Sequence, residues 1–302
     1  MKIILCILLL VSSASKADPI KFLMSVSPTV NLIVKHLNIP AIPIMMENKD
    51  GSPLIRAGIQ TPNSIVFVGS TQFAEYSILS EPEEDILKHL QPIVYIGKIS
   101  FVLVTSSKTH NTIEDIVNIA KKENRAVRLG GNGFNNICHF STVFLTKKYG
   151  IEFEFIEYKK TPQLDVDIYN QLIDVSCKFS NGIEDETRRK YYNIIANFSK
   201  NDRTGSLKNV PIYEELPDLS SAYMLFGNIN TTDTELIVNS IKNVKTTEWF
   251  SKNHIFLDIN TNQDFIKTTI MSRRIDIYNL IKSDSYFNKK IKSIPEYTKG
   301  TP

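Results

Sequence analysis

The part of the chain that decides its fold reads Ala126-Val-Arg-Leu-Gly-Gly-Asn-Gly-Phe-Asn-Asn-Ile-Cys-His139. A short apolar strand leads into a turn of glycines and asparagines, and a helix then begins with Ile137, Phe140 and Phe144 on one face. Glycine and asparagine permit the sharp bend, and the first amides of such a helix point outward at the positive end of its dipole. The pattern predicts a strand–turn–helix unit that favours an anionic ligand, although many turns of this composition bind nothing.

Strands and helices alternate along most of the chain, which predicts an α/β architecture with mainly parallel sheets flanked by helices. In such sheets, ligands collect at the carboxyl ends of the strands. Four turns there offer backbone donors or small polar side chains. They are Ser25–Thr29, Gly69–Thr71, Gly130–Asn135 and Ser180–Gly182. Together they predict a cleft for a small polar or acidic molecule.

Residues 1–17 have the pattern of a cleaved signal peptide. Lys2 gives a basic start, Ile3 to Val11 is a continuous apolar run, and Ser15 and Ala17 suit the recognition positions of a cleavage site. The apolar run is too short to span a bilayer as a helix. We therefore expect the mature protein to be exported to the periplasm.

The net charge of the chain bears on the class of molecule that it binds, and its length bears on the number of its domains. The net charge is +3, and it falls by two to +1 when Lys2 and Lys16 are excluded. Near-neutrality gives no reason to expect nucleic acid or an anionic membrane as a partner. The length of 302 residues favours two domains or lobes over a single core.

Cys138 and Cys177 remain after removal of the predicted signal peptide. In an oxidising compartment they can form a disulfide if the fold brings their Cα atoms close enough. Two small buried residues are the alternative, and the sequence leaves both open.

No residue pattern supports catalysis or metal binding. Cys138 and His139 are adjacent on the predicted helix, so their side chains diverge and cannot form a simple dyad. The chain has no Gly-x-Ser-x-Gly elbow and no phosphate-loop signature. The remaining histidines have no metal-ligand spacing; they are His36, His89, His110 and His254. We expect no enzyme activity, no cofactor and no metal.

Several segments resemble the Bug or TctC-like receptors, which are the periplasmic substrate-binding proteins of tripartite tricarboxylate transporters. The resemblance covers almost the whole mature chain. The segments are Gln91 to Val104 followed by Thr112 to Lys121, Gly130-Gly-Asn-Gly133 with His139, Gly150-Ile151 leading to Ile156-Glu-Tyr-Lys159, and Asn209-Val-Pro-Ile-Tyr-Glu-Glu215.

The resemblance implies a receptor of the type II periplasmic-binding-protein fold that closes two lobes around a small carboxylate, for uptake or sensing. It places lobe 1 at residues 18–104 and 221–302, and lobe 2 at residues 105–220. It also implies a monomer that works with a membrane permease of the tripartite tricarboxylate type. The ligand-binding residues that it implies are Ser27, Thr29, Gly69, Ser70, Thr71, Gly131, Asn132, Gly133, Asn135, His139, Ser180 and Asn181.

Departures from the family pattern keep a second function open. The first loop, Ser25 to Asn31, lacks the family's glycine pair and aspartate, and Lys160 replaces a glycine. The alternative is a diverged receptor-like protein that binds no small molecule and acts through protein–protein contacts. His139 likewise has two readings, either donating to a bound carboxylate or packing beneath the loop.

Overall fold

The computed structural model describes residues 19–25, 41–46, 52–80, 83–109, 112–180, 183, 190–200, 207–229, 231–243, 248, 250 and 255–292. The predicted signal peptide and the predicted site residues Ser27, Thr29 and Asn181 lie outside these ranges. The described strands are β1 (Ile20–Ser25), β2 (Ala41–Met46), β3 (Ser64–Gly69), β4 (Gln91–Ile99), β5 (Phe101–Ser106), β6 (Val127–Asn132), β7 (Phe153–Tyr158), β8 (Val175–Phe179), β9 (Tyr192–Asn197), β10 (Ser221–Asn228) and β11 (Phe256–Asn260).

The helices lie between these strands and after the last of them. They are α1 (Ser52–Gln60), α2 (Ser70–Leu79), α3 (Glu83–His89), α4 (Ile113–Lys122), α5 (Ile137–Tyr149), α6 (Thr161–Tyr169), α7 (Thr231–Ile241), α8 (Gln263–Ile281) and α9 (Ser285–Asn288). Within the described ranges, every helix is too short or too polar to cross a membrane.

Local sequence explains several helix ends. Thr112 and Asp115, three residues apart, predict a capping box from the sequence. The structure forms it at the start of α4, with the Thr112 hydroxyl accepting from the Asp115 amide at 3.2 Å. Helix α5 begins after Asn136, whose side chain caps its first turn, and ends at Gly150 in a left-handed conformation with φ of 62°. For α6, the pair Thr161-Pro162 predicts an N-cap followed by a first-turn proline. In the structure the N-cap is instead Lys160, and Thr161 is already helical.

Two sheets form the framework of the two lobes. The first has the strand order β11-β4-β10-β3-β1-β2, and the second has the order β7-β6-β8-β5-β9. Both sheets are mixed rather than mainly parallel, because strands near the crossings run against their neighbours: β10 is antiparallel to β3 and β4, and β5 is antiparallel to β8 and β9. The predicted α/β class is confirmed.

The chain crosses between the sheets at Ser100 and returns before Ser221. The apolar run from Val94 to Val104, which the sequence suggests is one strand interrupted near Gly97, is divided between β4 of the first sheet and β5 of the second. The predicted lobe boundaries at 104 and 221 stay a prediction. In the structure, the second sheet already includes Phe101.

Buried side chains connect the lobes as well as filling each of them. Ile78 on α2 and Ile277 on α8 belong to the same buried cluster as Phe140 on α5. In that cluster, Cys138 and Cys177 form a disulfide bond with their Cα atoms 5.7 Å apart. The bond attaches the start of α5 to β8. Of the two alternatives that the sequence left open for these cysteines, the structure shows the disulfide.

An ion network stabilises the end of the second sheet opposite the crossings. Asp174, just before β8, accepts from Arg125 Nη1 at 2.7 Å and from Arg128 Nη2 at 2.9 Å, and the Arg128 amide donates to it at 2.8 Å. Burial raises the pKa of the Asp174 carboxyl, but the hydrogen bonds from Arg128 and Arg125 outweigh it, so the net pKa is lowered.

Candidate functional site

The predicted turn after β6 has the geometry of an open helix N-terminus. Gly133 and Asn135 adopt positive φ angles of 80° and 59°, which reverse the chain within the asparagine turn (residues 132–137). The Asn136 carbonyl oxygen Oδ1 accepts from the amides of Cys138 and His139, both at 3.1 Å. These bonds satisfy two of the donors that a helix start leaves unpaired.

Asn136 also fixes the turn from within. Its Nδ2 donates to the carbonyl oxygens of Asn132 at 2.7 Å and Gly133 at 2.9 Å. Asn132 Nδ2 in turn donates to the Thr161 hydroxyl at 3.1 Å, which connects the turn to α6. The conformation of the turn is therefore held by side-chain amides rather than by a backbone ladder.

Three amides of the asparagine turn have no acceptor within the protein. Among the described residues, none accepts a hydrogen bond from the backbone N–H of Phe134, Asn136 or Ile137. They lie at the positive end of the α5 dipole, where a carboxylate is favoured.

His139 packs beneath the turn. Its side chain is 8% exposed, and its Nδ1 accepts from the Asn135 amide at 3.1 Å. The imidazole stacks on Phe155 with ring centroids 4.5 Å apart and meets Phe287 at 4.6 Å. Burial, and then the charge of Lys290, lower the pKa of His139 to about 4, so the ring is neutral at pH 7. His139 therefore packs beneath the turn and supports Asn135, and its donation to a bound carboxylate stays a prediction.

Ser70 and Thr71 are buried at the end of β3, and their hydroxyls are engaged within the protein. Ser70 Oγ accepts from the Ala222 amide at 2.9 Å, and Thr71 Oγ1 lies 3.2 Å from Ser221 Oγ. These contacts connect the turn after β3 to the returning strand β10. Gly69 precedes them as the N-cap of α2.

Ser180 lies at the other side of the crossing. Its amide donates to the Ser100 carbonyl at 2.9 Å, so the end of β8 adjoins the residue at which the chain changes sheets. The side chain is 2% exposed, and its hydroxyl has no hydrogen-bond partner among the described residues. A buried hydroxyl without a partner is uncommon, and a ligand or water can supply one.

The C-terminal segment connects the asparagine turn to the first lobe. Lys290, just after α9, places Nζ 3.4 Å from Asn135 Oδ1, and the Lys292 amide donates to the Ile78 carbonyl of α2 at 2.8 Å. A cavity of about 240 Å³ lies between these elements. The sequence around the turn does not predict this contact between the lobes.

The structure therefore brings Gly131, Asn132, Gly133, Asn135 and His139 into one turn, and Gly69, Ser70, Thr71 and Ser180 to the strand ends near the crossings. Sequence reasoning missed the role of Asn136, although asparagine before a helical stripe is a common cap. It also missed Phe134, which lies in the turn and packs on His139 and Phe155. Within the described residues, no group of three histidine, cysteine or acidic side chains could hold a metal ion.

Comparison with known proteins supports this description of the fold. No protein-family model and no curated protein sequence matches the chain. Among solved structures, the periplasmic binding protein BugD is similar with a TM-score of 0.70 and 14% identity, over 87% of this chain and 96% of BugD. The R. palustris protein Rpa4515 with adipate has a TM-score of 0.73 and 11% identity, over 87% and 96%. MatC from Rhodopseudomonas palustris with bound malate has a TM-score of 0.67 and 9% identity, over 86% and 99%. The predicted resemblance is thus confirmed at the level of the fold: the chain has the two-lobed α/β fold of periplasmic binding proteins such as BugD.

Proposed function

We propose that this protein is an exported solute-binding receptor that encloses a small carboxylate between its lobes, for uptake or sensing. The observation that carries the proposal is the asparagine turn, where three amides without a partner among the described residues lie at the start of α5. Carboxylates bind well at such a position because the donors and the dipole act together.

The similar structures point in the same direction. Rpa4515 was solved with adipate and MatC with malate, which are both small dicarboxylates. BugD is a periplasmic binding protein. We include periplasmic location, a monomeric state and a partner permease in the proposal. The alternative function, contacts with proteins and no small ligand, is less well supported because it leaves the unpaired amides without a role.

Ligand binding is the direct test. Native mass spectrometry of freshly purified protein should reveal a bound small acid, and thermal-shift titration with adipate and malate should raise the unfolding midpoint once either exceeds its dissociation constant. An empty native spectrum together with no shift for any organic acid would favour the alternative function.

A matched pair of glycine variants locates the site. Gly133→Leu places a side chain at the turn and strains a backbone with φ of 80°. Gly150→Leu introduces a comparable strain, with φ of 62°, at the far end of α5, where an added Cβ meets nothing within 4 Å. Backbone strain should cost about 1–2 kcal/mol in each variant, and Gly133→Leu should lose more stability than Gly150→Leu because Gly133 is buried and Gly150 is exposed. Under conditions in which both variants are folded, we expect only Gly133→Leu to lose acid binding. Equal binding by the two variants would show that the turn is not part of the ligand site.

A further inference from the structure

Three lysine side chains line the cavity between α2 and the C-terminal segment, which we call the lysine cavity. Its volume is about 240 Å³, and its walls include Lys289, Lys290 and Lys292. Among the described residues that line it, Glu75 of α2 is the only acid, so at most one of the three positive charges is balanced within the cavity. A cleft with an excess of one sign of charge concentrates ions of the opposite sign.

The lysines keep donors for such an ion. Lys290 Nζ lies 3.4 Å from Asn135 Oδ1 and 2.5 Å from the Tyr286 hydroxyl, which leaves one of its three N–H donors. Among the described residues, none accepts a hydrogen bond from Nζ of Lys289 or Lys292. The cavity therefore offers several charged donors to one small ligand.

The backbone that carries the lysines is held at both of its ends. Before them, Phe287 is 2% exposed and packs edge-on against Phe140 of α5, with ring centroids 5.0 Å apart. At the other end, the Lys292 amide donates to the Ile78 carbonyl of α2 at 2.8 Å. Because this segment is already ordered, an ion that binds the ammonium groups has less chain entropy to overcome.

We propose that the lysine cavity binds a small oxyanion of at least two charges, such as inorganic phosphate, between the ammonium groups of Lys289, Lys290 and Lys292. Lysine binds phosphate as a point charge, and two negative charges match the excess of the cavity. The site is separate from the amides of the asparagine turn and does not depend on the proposed function. Since Asn135 follows a strand of the second sheet and α2 follows a strand of the first, a bound ion stabilises the arrangement of the lobes that forms the cavity.

Calorimetric titration of the full mature chain with sodium phosphate, at neutral pH and constant ionic strength, tests the inference. We expect one phosphate to bind per chain, and the double variant Lys289→Ala with Lys292→Ala to bind it at least about tenfold more weakly. The matched control is Lys121→Ala with Lys122→Ala, which removes the same charge from two exposed lysines of α4 and should change nothing. Glu75→Gln should tighten phosphate binding because it removes the opposing charge, and a purely structural role of the cavity would not produce that gain.

The outcomes separate the inference from the proposed function. Equal phosphate affinity in the double variant and its control would overturn the inference, and so would an effect that sodium chloride reproduces at the same ionic strength. Competition between phosphate and an organic acid for one site would place phosphate at the asparagine turn and would also overturn it. Phosphate binding that the double variant loses, in a chain that binds no organic acid, would support the lysine cavity and contradict the receptor function.

Discussion

Replacement of Asn136 by alanine tests whether one side chain organises the asparagine turn. The substitution removes two bonds that cap α5, from the amides of Cys138 and His139, and two that hold the carbonyl oxygens of Asn132 and Gly133. Loss of the cap costs about 1 kcal/mol. The two donated bonds are partly solvent-accessible and together contribute roughly another 1 kcal/mol. We expect Asn136→Ala to lower the free energy of unfolding by about 2 kcal/mol.

Asn262 provides the matched control. It caps α8 by accepting from the amides of Asp264 at 2.8 Å and Phe265 at 3.1 Å. Among the described residues, none accepts a hydrogen bond from its Nδ2. Asn262→Ala should therefore cost only the cap, about 1 kcal/mol. Urea denaturation of both variants under non-reducing conditions measures the difference. Equal losses would refute the reasoning, because the donated bonds would then contribute nothing to the turn.

A second variant at the same position separates structure from binding. Asn136→Asp keeps an acceptor for the two capping amides and places a negative charge at the helix start, which the dipole favours. The same charge lies beside the amides proposed to bind a carboxylate and repels it. We expect Asn136→Asp to retain more stability than Asn136→Ala and to bind acids more weakly. Stronger acid binding by the aspartate variant would contradict the proposed position of the ligand.

Three further predictions concern stability. Reduction of the disulfide, or the double change Cys138→Ala with Cys177→Ala, should cost roughly 4 kcal/mol in urea denaturation because the bond closes a loop of 39 residues; reductant should no longer affect the double variant. Asp174→Asn should cost about 2 kcal/mol at pH 7. The loss of stability that acid causes below about pH 4 should also be smaller in this variant than in the unmodified protein. The reason is that the pKa of the Asp174 carboxyl is lowered in the folded state, so its contribution to stability disappears as the pH falls through that pKa. The unfolded chain takes up the His139 proton near pH 6.5 and the folded protein only near pH 4. The free energy of unfolding should therefore fall by up to about 3 kcal/mol as the pH drops from 6.5 to 4. The loss should be smaller in His139→Gln, and urea denaturation midpoints measured across this pH range test both expectations.

Features with local causes could be predicted from the sequence. The capping box of Thr112 and Asp115 forms as expected because its two partners lie three residues apart. Helix α5 starts at Ile137 as predicted, since the glycines and asparagines before it disfavour continued regular structure. The turn that they form was accordingly recognised from composition alone.

Features with distant causes could not be predicted. The division of the Val94–Val104 run at Ser100 depends on which sheet each half joins, and both halves are equally apolar and buried. The hydroxyls of Ser70 and Thr71 are suited to a ligand by type, yet their partners are the residues that begin β10, about 150 positions later. Residue type gives the capacity to bond, whereas topology decides which partner is reached.

The residues that hold the asparagine turn differ from those that face its open side. Asn136, His139 and the disulfide of Cys138 fix the backbone from beneath through capping, packing and a covalent bond. Phe134, by contrast, is 40% exposed within the turn. This separation predicts that substitutions on the open side of the turn change its surface while the backbone of the turn keeps its geometry.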